Sequence, residues 1–589
     1  MNNSQSVRLD TLFIVILIAL ISWMRFAGLG SDPLSDAEAM HALAAASTTP
    51  DASPFWDSGG ATGPVSSSYY VFTTMVFQLF GASDTAARIV SALAGIVLVL
   101  SPLILRNRIG IARSLIAVLV LTVATSGWTI ARTAGGSALA AASLAVFVFL
   151  VWSSDSEDPK RVRLLFASGA LGFALASGPG AVQGLFGLLV ATGLSFLLTR
   201  WQPKPFEEYF RLLSLKSSLW LSLVVMALVA SGFGFYWSGL AGLGESLSEW
   251  LRGWTETGQQ SPAAFLVMLV SYEPLLLGIG LVGAFFAWRK KDGLGQAAIL
   301  WVLGSFLSSL IYPARSGGDL IYVALPLALL VSYTVAILIE RIAHRGVGLE
   351  LIGLVAVLLV LIASAWISVI GYVNGYILEY TPSDPGIILL VFSALIIMAI
   401  SLLLFFGLGW SWAVVADALG ITATLVLAAF TLSAACRLNF EASIFGAREL
   451  WRPDVTTSGM RLLTSTLDYA SLAYAGRTDA IAVEVQSEIN PALAWALRGY
   501  NQAGGEYNEQ VDPSPAILAE ASTSTTGLLA DYMGQGFALK EMRDWEGSLP
   551  PNLLPYLVFR SAPTKLEHWI LWVRMDIATL GEEGFAEFE

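Results

Sequence analysis

Residues 11 to 42, TLFIVILIALISWMRFAGLGSDPLSDAEAMHA, pass within a few positions from an apolar run to a cluster of acids. The run has the length of a membrane-crossing helix, and no small-residue cleavage site follows MNNSQSVRLD, so it reads as a retained first span. The chain around it has 589 residues, 56% hydrophobic and only 13% charged, with a mean hydropathy of +0.69. That balance excludes a soluble enzyme and fits a polytopic membrane protein. A single cysteine, Cys436, and three scattered histidines, His41, His344 and His568, exclude a disulfide framework and a Cys/His zinc site. No Walker loop occurs, and GIGLVG at 278 to 283 lies inside an apolar run with no strand before it, so it reads as helix packing.

Working outward, apolar segments recur at 11–29, 86–105, 112–131, 136–152, 163–178, 181–199, 217–239, 265–288, 295–312, 319–339, 349–372, 386–409 and 411–435. They predict an α-helical bundle of about thirteen spans. With the N-terminus cytoplasmic, 16 Lys and Arg fall on the inner side and 5 on the outer, the sense that the positive-inside rule expects. Residues 30–84 then form a long first outer loop, the kind of segment that carries function.

Residues 436–589 differ from residues 1–435. Their hydrophobic runs are short, and 21 Asp and Glu stand against 11 Lys and Arg. They predict a soluble acidic α/β domain on the extracytoplasmic side. VTTSGMRLLTSTLDYASLAYA and NPALAWALRGY read as helices, and AIAVEV, YLVFR and WILWVR as strands. The acidity excludes nucleic acid as a partner and most simply makes a solvated surface.

In the first outer loop, Ser35-Asp36-Ala37-Glu38 is a capping box that starts a helix, with Ser35 as N-cap, Glu38 reaching back and Asp36 favoured by the helix dipole. Glu38 and His41 are three apart and share a face, so they can pair. A capped helix lying on the membrane surface also holds carboxylates over any cavity at the outer end of the bundle.

Further residues fit that picture: Pro33, Leu34, Glu38 and Ala39; Ala87, Arg88, Ser91, Ala92, Leu93 and Gly95; Ala131 and Arg132; and YPARSGGDLIYVALPLALL at 312–330. In order and spacing they resemble the lipid-dependent GT-C glycosyltransferases, in particular the family-39, dolichyl-phosphate-mannose mannosyltransferase-like group. The resemblance covers about 11–335. It implies transfer of a sugar from a polyprenyl-phosphate donor, at the outer face of the plasma membrane, to a glycan, lipid or protein acceptor.

An acceptor hydroxyl needs a base, and the resemblance offers Asp36 or Glu38. The departing phosphate needs a cation, for which Arg132 and Arg315 are candidates, each of which can equally be an interfacial snorkelling residue. Arg88 and His41 complete the expected substrate-binding set, with Tyr69, Tyr70 and Trp56 as aromatics for sugar or lipid. No cofactor is signalled, although a carboxylate pair can hold a divalent cation, Mg²⁺ or Mn²⁺. The chain departs from the pattern at Ala37, where the group carries Asp, and at Gly135 and Gly136, where it often carries another acid. Two other classes therefore stay open: a non-catalytic relative that binds a lipid-linked saccharide or a partner, and a transporter using Glu273-Pro274 or SGPGA at 177–181.

Overall fold

The computed structural model describes residues 3–49, 52–55, 65–153, 161–197, 216–256, 258, 260–377, 384–440, 446–502, 514–521 and 531–578. Trp56 lies outside the described residues, as do Lys160, Arg200, Lys204 and Arg211 of the loop count.

Six described helices are long and apolar enough to cross a membrane, or up to eight if each of two bent pairs is one span, and four shorter apolar helices accompany them. The chain is a multi-pass membrane protein. The helical stretch Pro385–Phe440 folds back on itself. Leu351 and Leu354 of Leu349–Tyr372 pack against both Leu403 and Val415, while Gly371 meets Ile388 and Trp366 meets Phe430. The two halves therefore run antiparallel, turning at Gly407–Ser411.

Small residues set the closest helix approaches, as expected where lipid supplies no hydrophobic drive between helices. A Cβ on Gly283 would sit 2.1 Å from the Leu330 carbonyl oxygen, and one on Gly280 2.9 Å from Leu327 Cδ2. The GIGLVG stretch is thus a packing stripe.

Both bent pairs break at one place. Pro274 cannot continue the preceding helix, and Pro262–Tyr272 and Pro274–Lys290 meet at 90°. Ile111–Val123 and Thr125–Arg132 meet at 60°. The backbone groups freed by each break find partners in the other: the Ser126 N–H donates to Glu273 Oε1 at 2.6 Å, and Thr125 Oγ1 donates to the Tyr272 carbonyl at 2.8 Å. Broken helices persist at membrane depth when such partners exist. Glu273 is completely buried here.

The C-terminal region forms one six-stranded sheet, in the order β1-β5-β6-β4-β2-β3. The strands are β1 Asp454–Thr456, β2 Ala482–Val485, β3 Asn501–Gln502, β4 Ala516–Glu520, β5 Tyr532–Arg543 and β6 Thr564–Arg574. β5 and β6 are a long antiparallel hairpin, and β2 pairs in parallel with β3 and β4. Gly459–Ala475 and the Asn490-capped helix Pro491–Ala496 are the helices that the sequence predicts. YLVFR is not a strand. It belongs to helix Leu553–Phe559, which buries Tyr556 against the bundle, so that the Tyr556 and Tyr272 hydroxyls lie 3.1 Å apart beside Glu449. A tertiary contact overrides the β-propensity of this short run.

The sheet is not a free appendage. One hydrophobic core joins Leu34, Ala39, Leu43 and Tyr70 to Leu463, Leu493, Trp495 and Leu539. The segment between the first two helices of the bundle is the floor on which the sheet rests.

Candidate functional site

Helix Asp36–Ala46 starts as its sequence predicts. The Ser35 hydroxyl accepts from the Glu38 N–H, and Glu38 reaches back to the Ser35 N–H at 3.1 Å. The same carboxylate carries a larger load. Arg88, from helix Asp84–Leu100, grips it bidentately, Nε to Oε1 at 2.7 Å and Nη2 to Oε2 at 2.8 Å, and the Ala134 N–H donates to Oε1 at 2.9 Å. Arg88 spends its remaining donors on the carbonyls of Leu29, Asp32 and Pro33. Burial by itself would raise the Glu38 pKa, but the charge and hydrogen bonds of Arg88, with Arg452 and the Ala134 N–H, outweigh it and hold the carboxyl down at about 2. Glu38 is ionised at neutral pH, and its lone pairs are largely taken.

Asp36 faces the sheet. It forms an ion pair with Lys540 of β5 and accepts from the Ala492 N–H, at the start of Pro491–Ala496, at 3.1 Å. Lys540 also reaches Asp454 at 2.8 Å. Burial works against the ammonium, but the two carboxylates prevail and raise its pKa above the ordinary lysine value. Ala37 between the two acids is exposed.

The remaining expected residues are similarly engaged. Among the described residues His41 forms no hydrogen bond to Glu38. It stands edge-on to Tyr69, with centroids 5.7 Å apart, and its ring carbon lies 3.2 Å from where a Cβ on Gly135 would be. Gly135 has φ +153°, so a side chain there would meet both strain and the imidazole. Burial lowers the His41 pKa, against the pull of Glu38. The Tyr69 hydroxyl donates to the Ala87 carbonyl at 2.7 Å, and the Tyr70 hydroxyl shares a 2.9 Å hydrogen bond with Ser238. Arg132 caps the end of the first helix, donating to the carbonyls of Ala27 at 2.7 Å and Gly28 at 3.0 Å. Arg315 is held by the carbonyls of Ser309, Gln260 and Leu310. Neither arginine forms an ion pair with a carboxylate among the described residues.

Two further arginines were not visible as site residues in the sequence. Arg25, in the last turn of the first helix, is 0% exposed, and all three of its guanidinium nitrogens lack a partner; it lies 5.6 Å from the Trp128 ring centroid. Arg452, a few residues beyond the last helix of the bundle, is within electrostatic reach of Glu38, Arg88, Asp32 and Glu449 and of Arg132. Burial lowers its pKa against the pull of Glu38, and its side chain forms no hydrogen bond or ion pair among the described residues. Arg25 had its position at the end of the first span as a clue, and Arg452, which Arg437 and Arg448 precede in the sequence, had none. The approach of Arg452 to Glu38 and of Arg25 to Arg132 is tertiary.

Two cavities adjoin this region. One of about 950 Å³ lies between the first loop and the sheet domain, bordered by Asp84, Arg461, Asp468, Trp495 and Tyr500. The other, about 210 Å³, lies in the bundle beside Asp319. Among the described residues no group of three or more His, Cys, Asp or Glu is placed to hold a metal ion.

No family model and no curated protein matches the sequence. Solved structures do. The crystal structure of ArnT from Cupriavidus metallidurans bound to undecaprenyl phosphate superposes with a TM-score of 0.54 at 16% identity, over 87% of this chain and 93% of that one. The apo structure of the same protein gives 0.53 at 15% identity, with the same coverage. At that identity the likeness speaks to architecture, and it agrees with the resemblance carried by Pro33, Glu38, Arg88 and Arg132: the chain has the GT-C fold.

Proposed function

We propose that the protein transfers a sugar from a polyprenyl-phosphate donor to an acceptor hydroxyl, at the end of the bundle that carries the sheet. The observation behind this reading is a chain of neighbouring arginines, Arg25 within reach of Arg132 and Arg132 within reach of Arg452, none of which forms an ion pair with a carboxylate among the described residues. Uncompensated buried cations are costly unless an anion arrives to meet them. A phosphate on a membrane-embedded lipid is such an anion, and the ArnT structure of the same fold holds undecaprenyl phosphate. In the reaction the acceptor oxygen bonds to the anomeric carbon, the bond from that carbon to the phosphate oxygen breaks, and polyprenyl phosphate leaves with its charge on the arginines. The acceptor proton passes to a base.

The topology follows the loop charges: about thirteen spans, the N-terminus cytoplasmic, the sheet domain and the site extracytoplasmic, in the plasma membrane, with glycan, lipid or protein as acceptor. Glu38 and Asp36 are better suited to holding the site than to taking a proton, because Arg88 and Lys540 occupy them. The same fact favours a second reading, a protein that binds a lipid-linked saccharide without turning it over, with Ala37 standing where the related enzymes carry Asp.

Transfer of radiolabelled hexose from undecaprenyl-phosphate donors by purified protein in nanodiscs separates the two. Release of undecaprenyl phosphate with labelled acceptor, lost in Arg452→Gln, is the expected result. Tight donor binding with no release under any acceptor would establish the binding protein, and no binding of undecaprenyl phosphate would overturn both readings.

A further inference from the structure

The 210 Å³ cavity in the bundle is lined by three polar groups that each keep hydrogen-bonding capacity unused among the described residues. Gln183, from helix Pro179–Leu197, is 2% exposed. Trp250 Nε1 donates to its Oε1 at 3.0 Å, which fixes the amide so that Nε2 is the free end, and Nε2 has no partner. The Tyr322 hydroxyl, on a side chain 4% exposed, makes no hydrogen bond among the described residues. Asp319 Oδ2 accepts from the Ser316 N–H at 2.8 Å and from its hydroxyl at 3.2 Å, while Oδ1 is not engaged. A donor, a hydroxyl able to do either, and an acceptor thus line one small space.

The shape of the space is maintained by its neighbours. Trp250 and Tyr312 stack with centroids 5.8 Å apart at 12°, which gives a flat apolar wall, and the Tyr312 hydroxyl is turned away to the Trp250 carbonyl. On the other side Gly180 and Gly184 make room for Tyr322: a Cβ on Gly184 would lie 2.6 Å from its ring. Glu249 and Glu256 stand exposed at the mouth, and no cation lines the cavity. An anion is therefore repelled. An apolar occupant would leave the three polar groups unpaired, at a cost of about 1–3 kcal/mol each. The volume is that of about seven waters at roughly 30 Å³ each, which one pyranose ring with its hydroxyls would displace.

The position agrees with the chemistry. A Cβ on Gly318 would lie 3.8 Å from Ile130, two residues before Arg132, and one on Gly317 would lie 2.9 Å from the ring of Trp451, the neighbour of Arg452. The cavity therefore adjoins the backbone segments that carry Arg132 and Arg452. Resting on the reading that those arginines receive a lipid phosphate, we infer that this cavity is the pocket for the sugar of the donor and that it takes one uncharged hexose unit: the ring lies against Trp250, and its hydroxyls meet Gln183, Tyr322 and Asp319.

The test compares binding of undecaprenyl phosphate with binding of undecaprenyl-phosphate glucose and undecaprenyl-phosphate mannose to the full chain in nanodiscs. The wild type is expected to bind at least one glycosylated lipid fivefold or more tighter than the bare lipid. Gln183→Leu and Tyr322→Phe, the second of which keeps the ring and its packing, are expected to cut that preference at least threefold and to leave bare-lipid affinity within twofold. Arg452→Gln should weaken all three lipids alike. Full preference retained in both cavity variants, or no preference in the wild type while the bare lipid binds, would overturn the sugar pocket alone. Failure of the wild type to bind even the bare lipid would overturn the phosphate reading and the pocket with it.

Discussion

Two regions of this protein hold nearly the same residue types to opposite effect. Where the first loop meets the sheet, each charge has an answer: Glu38 lies in the fork of Arg88, and Asp36 shares Lys540 with Asp454. A short distance away, Arg25 and Arg452 form no ion pair, and Gln183 Nε2 and the Tyr322 hydroxyl form no hydrogen bond, among the described residues. The first region spends its polar groups on holding two parts of the chain together. The second leaves its groups unspent, which a fold tolerates where a ligand completes them. A charged residue in a suggestive motif is therefore a weaker guide to function than a charged residue without company.

The contrast can be broken most decisively at Glu38. Glu38→Gln leaves Arg88 buried with half its partner and should cost about 3–5 kcal/mol, read as a large fall in unfolding midpoint; Arg88→Met should do the same, and the double variant should recover much of the loss. A stable Glu38→Gln protein that has lost only transfer would return Glu38 to the chemistry.

Acid should expose the same pair. The folded carboxyl titrates at about 2 and an unperturbed one at 4.5, so the pair's stabilisation is complete above about pH 4.5 and is lost as the pH falls from there through 2. A melting series over that window should slope steeply in the wild type and lose that slope in Glu38→Gln.

On the unpaired side, Arg452→Gln should weaken undecaprenyl phosphate binding tenfold or more while changing stability by no more than about 0.5 kcal/mol, the range of a substitution that breaks no internal contact. A marked loss of stability would move Arg452 into the paired region.

The smallest effect belongs to the half-exposed bridge. Asp36→Asn and Lys540→Met should each loosen the sheet by about 1 kcal/mol and show a non-additive double-mutant cycle. Faster amide exchange confined to Asp36–Ala46 and its contact with Pro491–Ala496 would register it.

The legible part of this structure is the local part. Apolar runs became helices and Ser35 and Glu38 became the predicted capping box, because each depends on neighbours a few residues away, while the glycines of GIGLVG, which pack on Leu327 and Leu330, were legible as a stripe through their own spacing. The fold class was legible too, through the order of weak motifs. The site was much less so. Nothing local tells Glu38 that Arg88 lies 50 residues on, or Asp36 that Lys540 lies 504 residues on. Arg132 and Arg315 look in the sequence like cations at span ends waiting for phosphate, and in the fold they also tie down backbone carbonyls. Gln183 was unreadable because its meaning depends on Trp250 turning its amide.

The bridge from Asp36 to Lys540 also orders events in the life of each molecule. A ribosome threading this chain into the membrane delivers Asp36 a full 504 residues before Lys540, which at about 5–20 residues per second is roughly half a minute or longer. Throughout that interval helix Asp36–Ala46 waits with Leu34 and Leu43 uncovered, since their covering, Leu493 and Leu539, is not yet made. A chain cut before β5 lacks Leu539 and leaves that cover incomplete. The late strands thus act as a completion mark, hiding a greasy patch only on molecules synthesised to that point and leaving it in view of proteolytic surveillance on those that were not.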